Sequence, residues 1–424
     1  MHENQAVAGA RLTVVGAGVF ALDAAMITQN RVFVAGAGPV GLVAAAALVR
    51  QGIPVTVFEG APALSQESRA STFHPSTLDM LDELKLAEAL VETGLVAPRV
   101  QYRTREGVIA AFDFGAIADL TRHPYRLQSE QHNLTRIIDA ALRADPNYHI
   151  AFDRRVCGVS QDDEGVTVTL ARADGATEQQ RGRWLIGADG ARSEVRKALD
   201  IAFEGFTWPE RFLVIATAFD FHALVRGLDA VSYVADPVQW HFYLQIPGMW
   251  RMMFPIAPEV SDETATSRDF ARATLATVQP GATEADLVHV TLYRVHQRVA
   301  ETFRVGRAFL AGDAAHINNP LGGMGMNGGI HDAINLTGRL ARVWRGEADE
   351  AELDRYDRQR RLVTLEYVQK HTIQNKRNLE ATDPAEQARF RDELRGIAAD
   401  PGRTRDYLQR ISMIASLKRA AELG

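Results

Sequence analysis

Gly36, Gly38 and Gly41 stand in G-x-G-x-x-G spacing, with Pro39 and Val40 between the last two, directly after the apolar run Val32–Ala35. The stretch LVAAAALVRQG that follows reads as a small-residue helix ending at Gly52. The first glycine permits a tight strand-to-helix turn, and the second lets a pyrophosphate approach the backbone. The third lets helix and strand pack closely, while the helix N-terminus supplies N–H groups and a positive dipole. A second strand, IPVTVFE, ends in Glu59, followed by Gly60. A carboxylate there is placed to accept hydrogen bonds from an adenosine ribose. Strand, glycine turn, helix, strand and acid in this order predict an α/β fold that binds a dinucleotide.

The stretch RLTVVGAGVFALDAA (Arg11–Ala25) imitates the same beginning twenty residues earlier. Gly16 and Gly18 are followed by Ala21, but the next strand runs into the second glycine turn and carries no acid. Met26 opens MITQNRVFVAGAG, as a chain beginning on its first strand would. Residues 1–25 therefore read either as an extension that binds no cofactor or as an extra edge strand and helix. Leu12–Leu22 after Arg11 also resembles a signal peptide, against which Glu3, the glycines and Asp23 argue.

A chain of 424 residues is long enough for two domains and a helical tail. A net charge of −6 advertises no basic field for nucleic acid or anionic lipid. Cys157 is the single cysteine, so disulfides within the chain and cysteine-based metal sites are excluded, and a reducing cytoplasm is the expected location. No uncharged run reaches the length of a membrane span. His316 has no partner at metal-ligand spacing and reads as structural, so no metal is expected.

Two further motifs lie downstream. WLIGADGARSEVRKAL (Trp184–Leu199) is a strand, then Asp189-Gly190, then a helix; GRAFLAGDAAHINNPLGGMGMNGGIHDAINL (Gly306–Leu336) is a strand ending at Gly312-Asp313, then a loop opening a long helix. With SRASTFHPSTLDMLDELKL and RVHQRVAETFRVGRAFLAGDAAH, this order resembles the class A flavoprotein aromatic hydroxylases over about residues 31–345. The resemblance implies a Rossmann-like FAD-binding domain of the glutathione reductase type, with an inserted antiparallel β-sheet substrate domain and C-terminal helices. The expected division is 26–98, 126–200 and 286–360 for the FAD domain, 99–125 and 201–285 for the sheet domain, and 361–424 for a helical segment that packs on the FAD domain and could meet a second copy in a homodimer.

The resemblance also implies roles. Gly36, Gly38, Pro39, Val40 and Gly41 would hold the FAD pyrophosphate, and Glu59 with Gly60 the adenosine end. Arg69 would contact FAD near the nicotinamide path, and Gln131 would touch the flavin chain. Asp189 is implicated in FAD and NAD(P)H binding, while Gly312 and Asp313 would meet the ribityl hydroxyls. Gly323, Gly325, Met326 and Asn327, at a helix N-terminus, would present N–H groups to the flavin edge, where charge develops on reduction. Pro320 would lie beside the reactive face of the ring. Asp189 and Asp313 could equally be helix N-caps, since capping uses the same exposed terminus.

Between these motifs, FLVIATAFDF, AVSYVAD, QWHFYLQI and WRMMFPI read as strands of an antiparallel sheet roofing an aromatic substrate cavity. Strand alternation lets only every second side chain face that cavity. Tyr233, His241 and Tyr243 are its candidate catalytic groups. The implied reaction consumes NADPH or NADH and O2 and hydroxylates a small phenolic or heteroaromatic ring through a flavin C4a-hydroperoxide. Rival readings are a flavin reductase acting on an apolar lipid without O2, a non-catalytic FAD-binding protein, and a flavin halogenase. The last needs two tryptophans where FYLQIP has Phe242 and Leu244. Replacing Gly16 or Gly18 by Ala is expected to leave bound FAD unchanged, whereas Asp313→Ala strips it. Flavin absorbance per mole of purified protein decides, and loss of FAD from the Gly18 variant overturns the choice of the second glycine turn.

Overall fold

The runs VFVA, VTVF, WLIG and AFL are buried along their whole length, as parallel strands are when helices cover both sheet faces. In the computed structural model, which describes residues 30–67, 69–282 and 286–423, they lie side by side in a six-stranded sheet. The proposed N-terminal extension, with Gly16 and Gly18, lies outside the described residues. The strand order is Arg304–Val305, Ala308–Leu310, Trp184–Gly187, Val32–Ala35, Val55–Phe58 and Tyr148–Ala151. All pairings are parallel except the one made by Arg304–Val305.

Register brings the distant motifs together. Ala35 lies opposite Phe58 on one side and Gly187 on the other, and Gly187 lies opposite Leu310. Gly36, Glu59, Asp189 and Asp313, one to three residues further on, emerge in one row at the carboxyl edge. Chain order reverses at Val32–Ala35, and the crevice beyond the carboxyl ends at such a point is where open α/β sheets take ligands.

The helix Pro39–Val49 carries no charged residue and is buried without interruption from Gly41 to Val49, as a helix apolar all round must be. It packs against the long helix Met324–Trp344 where Gly329 has no side chain; a Cβ there would stand 2.5 Å from the Val40 side chain and 2.8 Å from Gly312 Cα.

The aromatic strands downstream form an eight-stranded sheet in the order His316–Ile317, Leu287–Ala300, Phe203–Thr217, Met249–Ile256, His241–Ile246, Val231–Val234, Arg99–Arg103 and Val108–Asp113. It is antiparallel apart from the pairing of Val231–Val234 with Arg99–Arg103. The division expected at residue 286 is displaced, because Leu287–Ala300 pairs along its length with Phe203–Thr217 and stays with this sheet. One sheet face, with Leu213, Ile215, Tyr243, Trp250, Met252 and Phe254, packs on the helix Arg268–Val278. The other carries Phe212, Val231, Tyr233 and Met253 into a core with Tyr102 and Phe112, against which Phe242 and Leu244 pack.

Residues 354–380 and 384–422 are almost wholly helical. They meet the parallel-sheet layer through Arg360 and Tyr356, but Leu394, Tyr407, Leu408 and Ile411 join the core under the second sheet instead. The expected packing of this segment on one domain is therefore replaced by a bridge across both layers. No helix among the described residues is long and apolar enough to cross a membrane.

Two buried histidines, His331 and His241, sit one in each layer. His331 on the long helix lies 3.1 Å from Thr77 Oγ1 and 3.3 Å from Ser76 Oγ; burial, helped by Arg360, pulls its pKa down to about 3. Burial likewise pulls His241 down to about 4, against the hydrogen bond it makes to Gln239. Both stay neutral in the fold and protonate first in the unfolded chain, near the ordinary 6.5. Stability is therefore lost as pH falls from 6.5 toward 4, each excluded proton steepening the loss by about 1.4 kcal/mol per pH unit. Urea midpoints of the wild type and His331→Gln across this range test it; the variant's pH slope is shallower.

Candidate active site

The glycine turn is shaped by contact, not only by conformation. Gly36 has φ +98°, and a Cβ there would lie 2.5 Å from the carbonyl oxygen of Ala188, in the Asp189 loop. A Cβ on Gly41 would lie 2.0 Å from the carbonyl oxygen of Gly36. Gly38 has no atom within 4 Å of the corresponding position, so the space above it is open for a ligand. Pro39 takes the first helical position, where no N–H is needed, and Val40 and Gly41 bring theirs to the terminus. Glu59 accepts hydrogen bonds from Ala37 N at 2.8 Å and Ala61 N at 2.9 Å, fixing the turn to the end of the next strand. Gly60 packs on the Arg155 side chain. An open backbone cradle at a helix N-terminus, with a carboxylate beside it, fits the adenosine and pyrophosphate parts of FAD.

At the next two strand ends the two aspartates divide. Both Asp189 oxygens are engaged: Ser193 Oγ donates at 2.5 Å, and Glu194 N and Val195 N at 2.8 and 3.1 Å. This carboxylate takes the first two N–H groups of the helix Glu194–Ala198, whose N-cap is Ser193, and shapes its loop. Asp313 lies inside the turn Gly312–Ala314 and caps nothing. Its residue is exposed to solvent, yet enough protein surrounds the carboxyl that desolvation raises its pKa, opposed by His316 and Arg69. It is the acid at this edge turned outward to solvent.

The turn bearing Asp313 is held from below. Buried Asp332 accepts from Gly312 N at 3.1 Å, from His316 Nε2 at 2.8 Å and from Arg360 Nε at 2.7 Å. Burial pushes this carboxyl up, but His316 and Arg360 outweigh it and bring its pKa to about 2. His316 thus has the structural part expected of it, as a partner of Asp332. Arg196 Nη1 donates to Ala314 O and Nη2 to Ala191 O, joining the two aspartate loops.

Arg69 is largely exposed and pairs with Glu67 at 2.5 Å. Its carbonyl accepts from Arg251 Nη1, whose other bonds reach Ser71 Oγ and the carboxylate of Glu130. Gln131, the first residue of the helix Gln131–Leu142, accepts from Ala70 N at 3.4 Å. Arg69 and Gln131 therefore border the same edge, set in place by a buried arginine on the second sheet.

The loop before the long helix closes the site. Gly322 and Gly323 adopt φ +98° and +68°, and the N–H groups of Met324, Gly325 and Met326 open the helix unpaired within it. Asn327 does not offer its side chain to a ligand: its amide donates to Thr72 O and Gly323 O and accepts from His74 N. His74 Nε2 lies 2.9 and 3.1 Å from Gly322 O and Gly323 O, and two carbonyls require that nitrogen to carry the proton.

Between this loop and the second sheet lies a cleft with about 330 Å³ of unfilled space, partly open to solvent. Thr72, Arg126, Val231, Tyr233, Phe242, Tyr243, Leu244, Pro320, Gly322 and Gly323 line it. Of the candidates Tyr233, His241 and Tyr243, Tyr233 turns its ring to the cleft, its hydroxyl accepting from Gly322 N at 3.1 Å. The His241 and Tyr243 rings point elsewhere. Alternation turns both to the far face, where His241 stacks on Phe254 and Tyr243 packs on Phe221 and Trp250. The Tyr243 hydroxyl accepts from Gln279 Nε2, and burial pushes its pKa up to about 12. Phe242 and Leu244 take their place, noticed in the sequence only as a failed tryptophan motif. Thr72, His74 and Arg126 gave no signal of their own.

The family described as the FAD binding domain matches residues 29–371. The chain is 36% identical over 389 residues to para-nitrophenol 4-monooxygenase of Pseudomonas sp. (strain WBC-3), covering 90% of this chain and 95% of that protein. It is 33% identical to 6-hydroxy-3-succinoylpyridine 3-monooxygenase of Pseudomonas putida (strain DSM 28022 / S16), covering 91% and 98%. Among solved structures, p-nitrophenol 4-monooxygenase from Pseudomonas putida DLL-E4 superposes with a TM-score of 0.86 at 32% identity, over 93% of this chain and 98% of that one.

The chain belongs to the FAD-dependent aromatic hydroxylases.

The enzyme is accordingly a flavin monooxygenase drawing electrons from NAD(P)H. Among the described residues no cluster of three or more His, Cys, Asp and Glu could hold a metal ion. The strand phase makes a test: His241→Phe and Tyr243→Phe keep aromatic-dependent NAD(P)H oxidation near the wild-type rate. Leu244→Ala enlarges the cleft and lowers kcat/KM by about 10-fold or more. Steady-state kinetics on purified, flavin-loaded variants read the difference.

Proposed function

We propose that the enzyme hydroxylates a small phenolic or heteroaromatic ring in the cleft between Pro320–Gly323 and the strands carrying Tyr233, Phe242 and Leu244. On this reading the six-stranded sheet is a Rossmann-like FAD domain of the glutathione reductase type, and the eight-stranded sheet is the inserted substrate domain. One observation carries it: the Tyr233 hydroxyl on the substrate sheet accepts a hydrogen bond from Gly322 N in the loop at the flavin edge. A single contact thus joins the wall that would hold the ring to the loop that would hold the cofactor.

FAD, once bound and reduced by NADH or NADPH, supplies the chemistry that activates O2. Gly36, Gly38 and Gly41 would hold its pyrophosphate, Glu59 the adenosine ribose, Asp313 the ribityl hydroxyls, and Met324–Met326 N–H groups the pyrimidine edge. The remaining work belongs to this chain. Phe242, Leu244 and Val231 offer an aromatic ring an apolar wall, so that a bound ring displaces water from that side of the cleft. Tyr233 uses an oxygen lone pair for Gly322 N, which leaves its O–H free to bond an oxygen on the substrate. Pro320, exposed at the cleft, sets one wall without an N–H that would need a partner.

The experiment is a panel of aromatics with holoenzyme: 4-nitrophenol, a chlorinated phenol, a hydroxypyridine and a phenylpropionate. NADH and NADPH oxidation, O2 uptake and products are followed with labelled O2. At least one ring is expected to accelerate NAD(P)H oxidation and leave with one labelled oxygen. If no member of the panel does so, the reading is overturned, and reduction of a lipid-like substrate without O2 uptake would replace it with the reductase.

A further inference from the structure

Most buried arginines in this structure have an anionic or carbonyl partner. Arg251 meets Glu130, Arg360 meets Asp332, Arg211 meets Asp262, and Arg196 meets two carbonyls. Arg126 differs. It is 2% exposed, lines the cleft, and makes no ion pair among the described residues. Its hydrogen bonding to protein is one long contact, Nη2 to Ile411 O at 3.4 Å, and its buried Nε has no partner. The Phe114 ring sits 5.7 Å from the guanidinium carbon.

The groups that share its field are His74 ahead of the helix Pro75–Glu83, Tyr102 on the strand Arg99–Arg103, His371 on the helix Lys370–Glu380, and Tyr407 on the helix Pro401–Ile411, with Arg410 beside it. None is an acid. A guanidinium cannot shed its proton to escape burial, and a buried charge without a counter-charge is costly. The cleft is where its missing partner can enter.

Resting on the aromatic-hydroxylase reading above, we propose that Arg126 recognises an anionic oxygen substituent on the substrate ring, so that the enzyme selects rings that enter as anions. The apolar residues then hold the ring and the guanidinium selects its charge. Both a phenolate and a ring carboxylate offer this chemistry, and the planar fork of arginine suits either.

The test uses wild-type, Arg126→Met and Arg126→Lys holoenzymes with matched FAD content and thermal midpoints. Binding of 4-nitrophenol, benzoate and the neutral nitrobenzene is measured by perturbation of the flavin spectrum, and the visible band of 4-nitrophenolate reports the ionisation of the bound phenol. Arg126→Met is expected to weaken an anionic ring by about 10- to 100-fold, the range for a hydrogen bond to a charged group, and to leave nitrobenzene unchanged. Arg126→Lys retains part of the affinity. Tighter 4-nitrophenol than benzoate assigns the phenolate, and the reverse assigns the carboxylate; both support the proposal. Should Arg126→Met not fold, the wild type alone decides: 4-nitrophenol binds as the coloured anion at a pH where the free phenol is mostly neutral. Equal loss for nitrobenzene in Arg126→Met overturns the role of Arg126 while leaving aromatic binding intact, as does a bound phenol no more ionised than in solution when benzoate binds no tighter than nitrobenzene. Failure of the wild type to bind any ring defeats the underlying function itself.

Discussion

The closeness with which the helix Pro39–Val49 approaches the carboxyl edge of the parallel sheet governs the rest of the site. At Gly36 and Gly41 a single carbon would collide with backbone oxygen, at 2.5 and 2.0 Å. At Gly312 and Gly329 it would collide with Val40 of the same helix. Backbone oxygen cannot move aside as a flexible side chain can, so Gly36 and Gly41 exclude any Cβ. The joint effect of the four glycines is to seat two helices, Pro39–Val49 and Met324–Trp344, against each other and against one row of strand ends. Two helix N-termini then open on the same crevice, where their N–H groups favour anionic and electron-rich ligand atoms.

Charged groups buried around this edge act as positioners. Asp332 holds Gly312 N and so the turn of Asp313; Arg196 ties that turn to the Asp189 loop; Arg251 and Glu130 tie the second sheet to the segment with Arg69 and Gln131. Desolvation makes such pairs poor sources of stability, but each is satisfied in few geometries, which suits loops that must stand at fixed distances. Asn327 and His74 do the same for Gly322 and Gly323 with neutral groups. Arg126 stands outside this pattern because its charge is compensated by no residue described.

Much of the nucleotide side was legible in the residues alone. Glycine spacing is dictated by backbone collisions, and strands buried on both faces must be written in continuous apolar letters, so VFVA and WLIG announce themselves. Asp189 and Asp313 could be located but not distinguished, since capping and ligand binding ask for the same residue at the same terminus. Only the structure shows both Asp189 oxygens occupied and Asp313 facing out. The cleft was far less legible. A strand of period two gives two equally plausible faces, and HFYLQI places an aromatic on each. His241 and Tyr243 looked like chemistry, but they pack on Phe254 and Trp250, away from the cleft.

By itself the sequence determined the parallel strands, the glycine turn, the acids at the strand ends and the glycine loop that opens the long helix. Each of these depends on local backbone geometry or on burial encoded residue by residue. Tertiary structure alone decided that the strand ends at Ala35, Phe58, Gly187 and Leu310, far apart in the chain, form one row. Strand register set this order, because hydrogen-bonded neighbours need not be neighbours in the chain. Packing, in the same way, chose the face of the second sheet that meets Pro320 and left Arg126 buried beside the cleft without an acid. Those outcomes depend on which surfaces cover one another, and no local stretch of sequence encodes that.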